Sequence, residues 1–132
     1  MEFQDFDLQY YSDDDSVPAD SSLLAWDRLI IEAAERAGRE PSPGPKLEGY
    51  FHAVGFHNVT KRQFKIPIGS WPEDAALKEV GAVYLAQMLE GLEGFSMRLM
   101  CDVLGWDEED VKDFFDKVRR EFISGKQHIY MV

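Results

Sequence analysis

The stretch "FKIPIGSWPEDAALKEVGAVYLAQMLEGLEGF", residues 64–95, changes its hydrophobic period part-way along. Phe64, Ile66 and Ile68 alternate with Lys65 and Pro67, the period of a half-buried strand. From Leu77 onward the apolar positions Tyr84, Leu85, Met88, Leu92 and Phe95 recur at helical steps, and the pattern runs on through Leu99 and Val103 to Leu104. Between the two periods, Pro72 supplies a fixed φ, and Glu73 and Asp74 place negative charge where a helix start favours it. A strand over 61–68 feeding a long helix predicts an α+β fold. Pro67 assigns that strand to a sheet edge, because proline has no ladder donor. Gly91 and Gly94 fall inside the helix, where glycine is disfavoured, so the segment 89–95 calls for close packing or a bend.

Working towards the N-terminus, "REPSPGP" at 39–45 breaks regular structure through its three prolines. It separates two helices. The shorter spans 46–56, with Leu47, Tyr50, Phe51 and Val54 inward and Gly55 terminating it; the longer begins at Leu23 after a Ser21 or Ser22 cap and stops at Gly38. Its apolar face carries Leu23, Trp26, Ile30, Ala33 and Ala37. "EFQDFDLQYY" alternates Gln4, Phe6, Leu8 and Tyr10 against Asp5, Asp7 and Gln9, predicting a first strand over 2–10. Towards the C-terminus, Asp107 is a candidate N-cap, flanked by a Trp106–Val111 hydrophobic staple. The helix it opens buries Val111, Phe114, Phe115, Val118 and Phe122, and "QHIYMV" predicts a third strand over 127–132.

At 132 residues the chain has the size of one domain, 1–132. Its 45% apolar content supports a packed core, while no apolar run reaches the roughly eighteen residues of a membrane span. A net charge of −11 repels nucleic acid and anionic membrane, so neither is an expected partner. The single cysteine, Cys101, has no disulfide partner, and the N-terminus lacks the order of a signal peptide, so the expected location is cytoplasmic.

The catalytic motifs are conspicuous by omission. No two glycines are separated by a single residue, so there is no glycine-rich phosphate or dinucleotide turn. His52, His57 and His128 lack metal-ligand spacing, and Asp13, Asp14 and Asp15 lack the alternation of a calcium loop; no metal is expected. Met88, Met97 and Met100, with Tyr84, Trp71 and Trp26, either line an adaptable apolar pocket or simply pack the core.

Read together, "EFQDFDLQYYSDDDSVPADSSLLAWDRLIIEAAERAGR", "GFHNVTKRQFKIPIGSWPEDAALKEVGAVYL", "LEGLEGFSMRLMCDVLGWDEEDVKDFFDKVRREF" and "HIYMV" resemble the second half of the fungal LaeA-like class I methyltransferases. The resemblance implies a truncated methyltransferase-like fold: a small three-stranded mixed sheet, ordered first, third, second strand, with the C-terminal strand antiparallel in the middle and about four helices. It implies that "LEGLEG" belongs to an insertion covering the acceptor substrate. It also implies that the S-adenosylmethionine site precedes Glu2, so that no cofactor is expected to bind this chain. On this basis the expected function is a cofactor-independent cyclase or pericyclase acting on an apolar natural-product intermediate, with a non-catalytic binding or scaffold module, or a fragment of a full methyltransferase, as the alternatives. Tyr10, Tyr11 and His52 are the candidate catalytic groups, able to orient a carbonyl; Trp26, Trp71, Tyr84, Met88 and Met97 are the candidate walls of the substrate pocket, between the helix around Trp26 and the long helix. A homodimer is expected, since an unpaired first strand needs cover.

Overall fold

The computed structural model describes residues 1–132 and has the order α1 (Ser22–Arg36), a 3-10 turn (Gly44–Lys46), α2 (Leu47–Ala53), β1 (Ile66–Ile68), α3 (Ala75–Arg98), a π-helical turn (Leu99–Val103), α4 (Glu108–Ser124) and β2 (Ile129–Met131). The α+β class and the four helices expected from periodicity are present. The sheet is smaller than expected: β1 and β2 pair antiparallel, Ile66 opposite Met131 and Ile68 opposite Ile129, and they are its only two strands.

The predicted first strand, 2–10, is reduced to one bridge between Tyr11 and Tyr130. Both backbone groups of Tyr130 bond to Tyr11, at 2.8 and 2.9 Å, on the side of β2 away from β1. The contact stays an isolated bridge, and the ladder fails to extend into a third strand. The reason lies in a carboxylate: Asp7 Oδ1 accepts the Gln9 N–H at 3.2 Å, while on the edge away from β2 Asp27 Oδ2 accepts the Tyr10 N–H at 3.0 Å. With Gln9 turned to its own neighbour, Asp7 N–H reaches Val132 instead, at 2.7 Å, and the regular register is lost. Residues 61–65 likewise stay outside β1, which begins at Ile66 opposite Met131.

One face of the sheet meets the helices. Ile68, Ile129 and Met131 join Leu23, Trp26 and Ile30 of α1, Met88 and Leu92 of α3, Met100 of the π-turn, and Val111, Phe115, Val118 and Phe122 of α4 in a continuous core. These α4 positions recur at three- and four-residue steps, which is why an otherwise strongly polar helix packs on one side only. Ser21 caps α1 by accepting the Leu24 N–H at 3.2 Å, and Asp74 caps α3 by accepting the Leu77 N–H at 2.9 Å. Asp107 occupies the N-cap of α4 with no side-chain hydrogen bond, and Trp106 tilts onto Phe114, their ring centres 5.5 Å apart.

Two of the helix glycines have different reasons. Gly81 carries the strand-to-helix junction: Gly69 N–H donates to its carbonyl at 2.9 Å, and a Cβ there would stand 2.1 Å from the Gly69 carbonyl oxygen. Gly81→Ala is expected to cost about 1–3 kcal/mol by overpacking, seen as a lower urea midpoint. A Cβ on Gly94 meets nothing within 4 Å, so Gly94→Ala is expected to stabilise by up to ~1 kcal/mol through helix propensity alone. A destabilised Gly94→Ala variant would mean that another surface is needed at that position. The long apolar pattern also ends differently from expectation: α-helical bonding stops at Arg98, and Leu104 N–H reaches back five residues to Leu99, at 3.2 Å.

Candidate functional site

The residues singled out in the sequence divide between the interior, the outer sheet face and the periphery. Trp26, 2% exposed, donates its Nε1–H to Ser96 Oγ at 3.1 Å and is surrounded by Tyr10, Phe95 and Phe122, ring centres 6.0–6.1 Å away. Tyr10 is buried and directs its hydroxyl at Met88 Sδ, 3.8 Å away. Burial above all, helped by Tyr84 and Asp27, raises the Tyr10 phenol well above its ordinary range, so it stays neutral. Met97 lies against Cys101, their sulfurs 3.8 Å apart, and Tyr84 is half-buried on α3 at the edge of the core. Tyr10, Trp26 and Met88 are thus brought together, as core.

Tyr11, Trp71 and two residues not singled out as catalytic or pocket residues, Tyr130 and His128, share the opposite face of the sheet. Tyr11 stacks on Tyr130 at 5.9 Å, and its hydroxyl donates to Asp7 Oδ2. That hydrogen bond, with burial, pushes the Tyr11 phenol up to about 12, so it acts as a donor at neutral pH. Trp71 stacks on His128 at 5.1 Å and donates to the Ile129 carbonyl at 3.1 Å. Asp14 Oδ2 is 2.7 Å from His128 Nδ1, and Asp13 receives the Tyr130 hydroxyl at 2.7 Å and pairs with Lys65. The acidic loop 13–15 is therefore tied to the sheet face by two of its carboxylates. His52 is exposed on α2, where Phe51 packs with Phe3 and Phe56 in a cluster separate from the core.

The open space lies elsewhere. A groove of about 360 Å³ runs between the first segment and α1, walled by Tyr10, Leu24 and Ile31, with Asp27, Glu32 and Glu35 as acids and Gln9 and Arg28 completing its lining. Another, of about 590 Å³, lies between the end of α1 and the π-turn, lined by Ala37, Arg39, Gly94, Phe95, Arg98, Leu99, Asp102 and Val103. Asp27 is 3% exposed, and its carboxyl is pushed up to about 6, by burial first and by Asp7 beside it, against the lowering effects of the Tyr10 N–H and Arg28. No group of three or more His, Cys, Asp or Glu side chains is placed to hold a metal, and no helix is long and apolar enough to cross a membrane.

The positive-φ glycines and the starts of α1 and α4 do not offer S-adenosylmethionine an anion-binding turn. Gly38, Gly55, Gly105 and Gly125 have positive φ beside the ends of helical segments, and Gly69 has it at the tight approach to Gly81. The first amides of α1, which otherwise suit an anionic cofactor group, are taken by Glu121 and Ser21. The first turn of α4 holds Glu108, Glu109 and Asp110, which repel one.

Comparison with known proteins identifies the ancestry of this arrangement. Methyltransferase pytC of Aspergillus terreus is 38% identical over 128 residues, covering 97% of this chain and 40% of pytC. Probable methyltransferase tdiE of Emericella nidulans is 32% identical over 130 residues, covering 98% and 41%. The chain is a homologue of part of the fungal LaeA-like methyltransferases. Secondary metabolism regulator LAE1 of Cochliobolus heterostrophus extends the relationship, at 29% identity over 131 residues, 98% of this chain and 43% of the regulator. The chain spans about two fifths of the length of these relatives. No family model matches it, and no solved structure does.

Three groups important to this chain were not singled out from the sequence. Asp27 stands in the apolar stripe of α1, at helical spacing from Leu23, Ile30 and Ala34; a carboxylate in such a stripe is the readable sign of a buried acid. Asp7 was assigned to the solvent side of a strand, yet it is only 5% exposed. Glu121, on α4, gathers the Ser22 and Leu23 amides, the Ser21 hydroxyl and the Gln127 amide at 2.8–3.0 Å, a long-range cap that no local pattern announces.

Proposed function

We propose that these residues form the acceptor-side part of a fungal natural-product methyltransferase, acting with a cofactor-binding part that is not among them. The observation that carries this is the extent of the homology: nearly the whole chain aligns with two fifths of proteins named as methyltransferases. The groups above the sheet and along α1 are suited to binding and orienting an acceptor. They comprise two open grooves, the buried Asp27 carboxyl in one of them, and aromatic rings held by Ser96, Asp7 and the Ile129 carbonyl. When bound in the complete enzyme, the cofactor supplies an electrophilic methyl group; these residues hold the nucleophile and exclude water.

Cofactor-independent cyclisation is less well supported, because that chemistry needs a shaped apolar cavity between α1 and α3. Trp26, Met88 and Phe122 fill the space there as close-packed core. Calorimetric titration of the 132-residue chain with S-adenosylmethionine is expected to give no saturable heat at micromolar protein. Micromolar affinity would contradict the assignment of the cofactor site to residues outside this segment.

A further inference from the structure

The groove between the first segment and α1 contains a carboxylate whose two oxygens are treated unequally. Asp27 Oδ2 accepts the Tyr10 N–H at 3.0 Å, and no protein donor reaches Oδ1. No fully buried side-chain oxygen in the chain lacks a partner, so Oδ1 opens onto the groove that Asp27 lines, although the residue is only 3% exposed. A carboxylate held in this way has lost most of its water and has one acceptor direction free, which makes a charged donor its best partner.

The rest of the lining selects among donors. Glu32 and Glu35 add negative charge, and Glu32 is already paired with Arg36 at 2.5 Å. Arg28, the lone cation of the lining, turns its Nε–H back to the Leu24 carbonyl of its own helix, at 3.3 Å. Leu24, Ile31 and the Tyr10 ring supply apolar surface beside the carboxylate. One open carboxylate oxygen without further ligands is too little for a metal ion, and the acids disfavour an anion.

We propose that this groove binds an organic ammonium group, ion-paired to Asp27 Oδ1, with the apolar part of the ligand laid against Leu24, Ile31 and Tyr10. Capture of the ammonium requires the groove alone and not methyl transfer, so its failure leaves the preceding proposal standing. The pH response separates Asp27 from its neighbours. The charged groups facing it are Asp7 on the first segment and Arg28, Glu32 and Glu35 on α1. Burial pushes the Asp27 carboxyl up to about 6.

The test is an NMR titration of the intact chain with 2-phenylethylammonium chloride and, in parallel, neutral 2-phenylethanol. The expected result is saturable shifts at the amides of Gln9, Tyr10, Asp27 and Ile31. Affinity for the ammonium should be about tenfold or more above that for the alcohol, the worth of a charge-assisted bond to a desolvated carboxylate. That preference should fall away as the pH drops through about 6. Asp27→Asn, whose side-chain oxygen can still accept the Tyr10 N–H, should remove the preference. Ile31→Ala, which leaves the carboxylate in place, should weaken both probes. Equal affinity for the two probes, shifts confined to other residues, absence of binding, or full ammonium preference in a folded Asp27→Asn variant would each overturn the assignment.

Discussion

Trp26→Ala is expected to lower the unfolding free energy by about 3–5 kcal/mol, the cost of removing a large buried aromatic side chain. Trp26 packs simultaneously on Tyr10 of the first segment, Phe95 of α3 and Phe122 of α4, so the cavity left behind would border three elements. It would also strip the fully buried Ser96 hydroxyl of its indole donor. Urea unfolding monitored by circular dichroism should show a much lower midpoint with little change in slope. Trp26→Phe keeps most of the packing but loses the hydrogen bond, and should cost clearly less. A Trp26→Ala variant with wild-type stability would show that the indole lines open space, as expected for a pocket wall, and does not pack the core.

Glu121→Ala is the second substitution with a large expected effect, about 2–4 kcal/mol, combining a lost helix cap with newly unpaired buried groups. The two α1 amides would lose their acceptor; Ser21 and Gln127, 3% and 8% exposed, would lose a shared partner. The same carboxylate sets part of the pH dependence. Burial raises its pKa, but the Leu23 and Ser22 amides, Gln127 and Ser21 outweigh this and hold it below the ordinary glutamate value. Its contribution is therefore present above the unfolded-state pKa and lost as the pH falls through the lower folded value. Asp27 has the opposite sign. Its folded pKa of about 6 lies above the unfolded value, so its favourable term is complete at low pH and is lost as the pH rises through 6. Between about pH 4 and 6, Asp27→Asn should flatten the stability profile, whereas Glu121→Ala should act below that window. Unchanged profiles in both variants would contradict these environments.

The elements most legible from sequence were those whose evidence is local. The apolar steps of α1 and α4, the serine start of α1 at Ser21 or Ser22, the acidic start of α3 at Glu73 and Asp74, and the alternation around Ile66 and Ile68 all depend on neighbours within one turn or one strand. The strand lengths were not legible, because ladder growth depends on what the backbone amides find instead. At Gln9 the amide finds the carboxylate of Asp7, and alternation cannot reveal such competition. Tyr10 reads from sequence as a group to orient a carbonyl and Trp26 as a pocket wall, but whether such a side chain lines a pocket or fills a core is decided by partners such as Ser96 and Met88, 70 and 78 residues away in the chain. Gly81 illustrates the intermediate case. It stands within the quoted stretch 64–95, and its reason, the approach of the Gly69 carbonyl, is a tertiary one.

Replacing the matched segment of Aspergillus terreus pytC with these 132 residues tests the central claim most directly. If the chain is the acceptor-side part of a LaeA-like methyltransferase, the folded chimera should bind S-adenosylmethionine as the parent does and transfer its methyl group to an acceptor. A chimera that is folded and binds the cofactor, yet transfers no methyl group to the parent enzyme's acceptor or to any amine or hydroxyl acceptor tried, would contradict the claim.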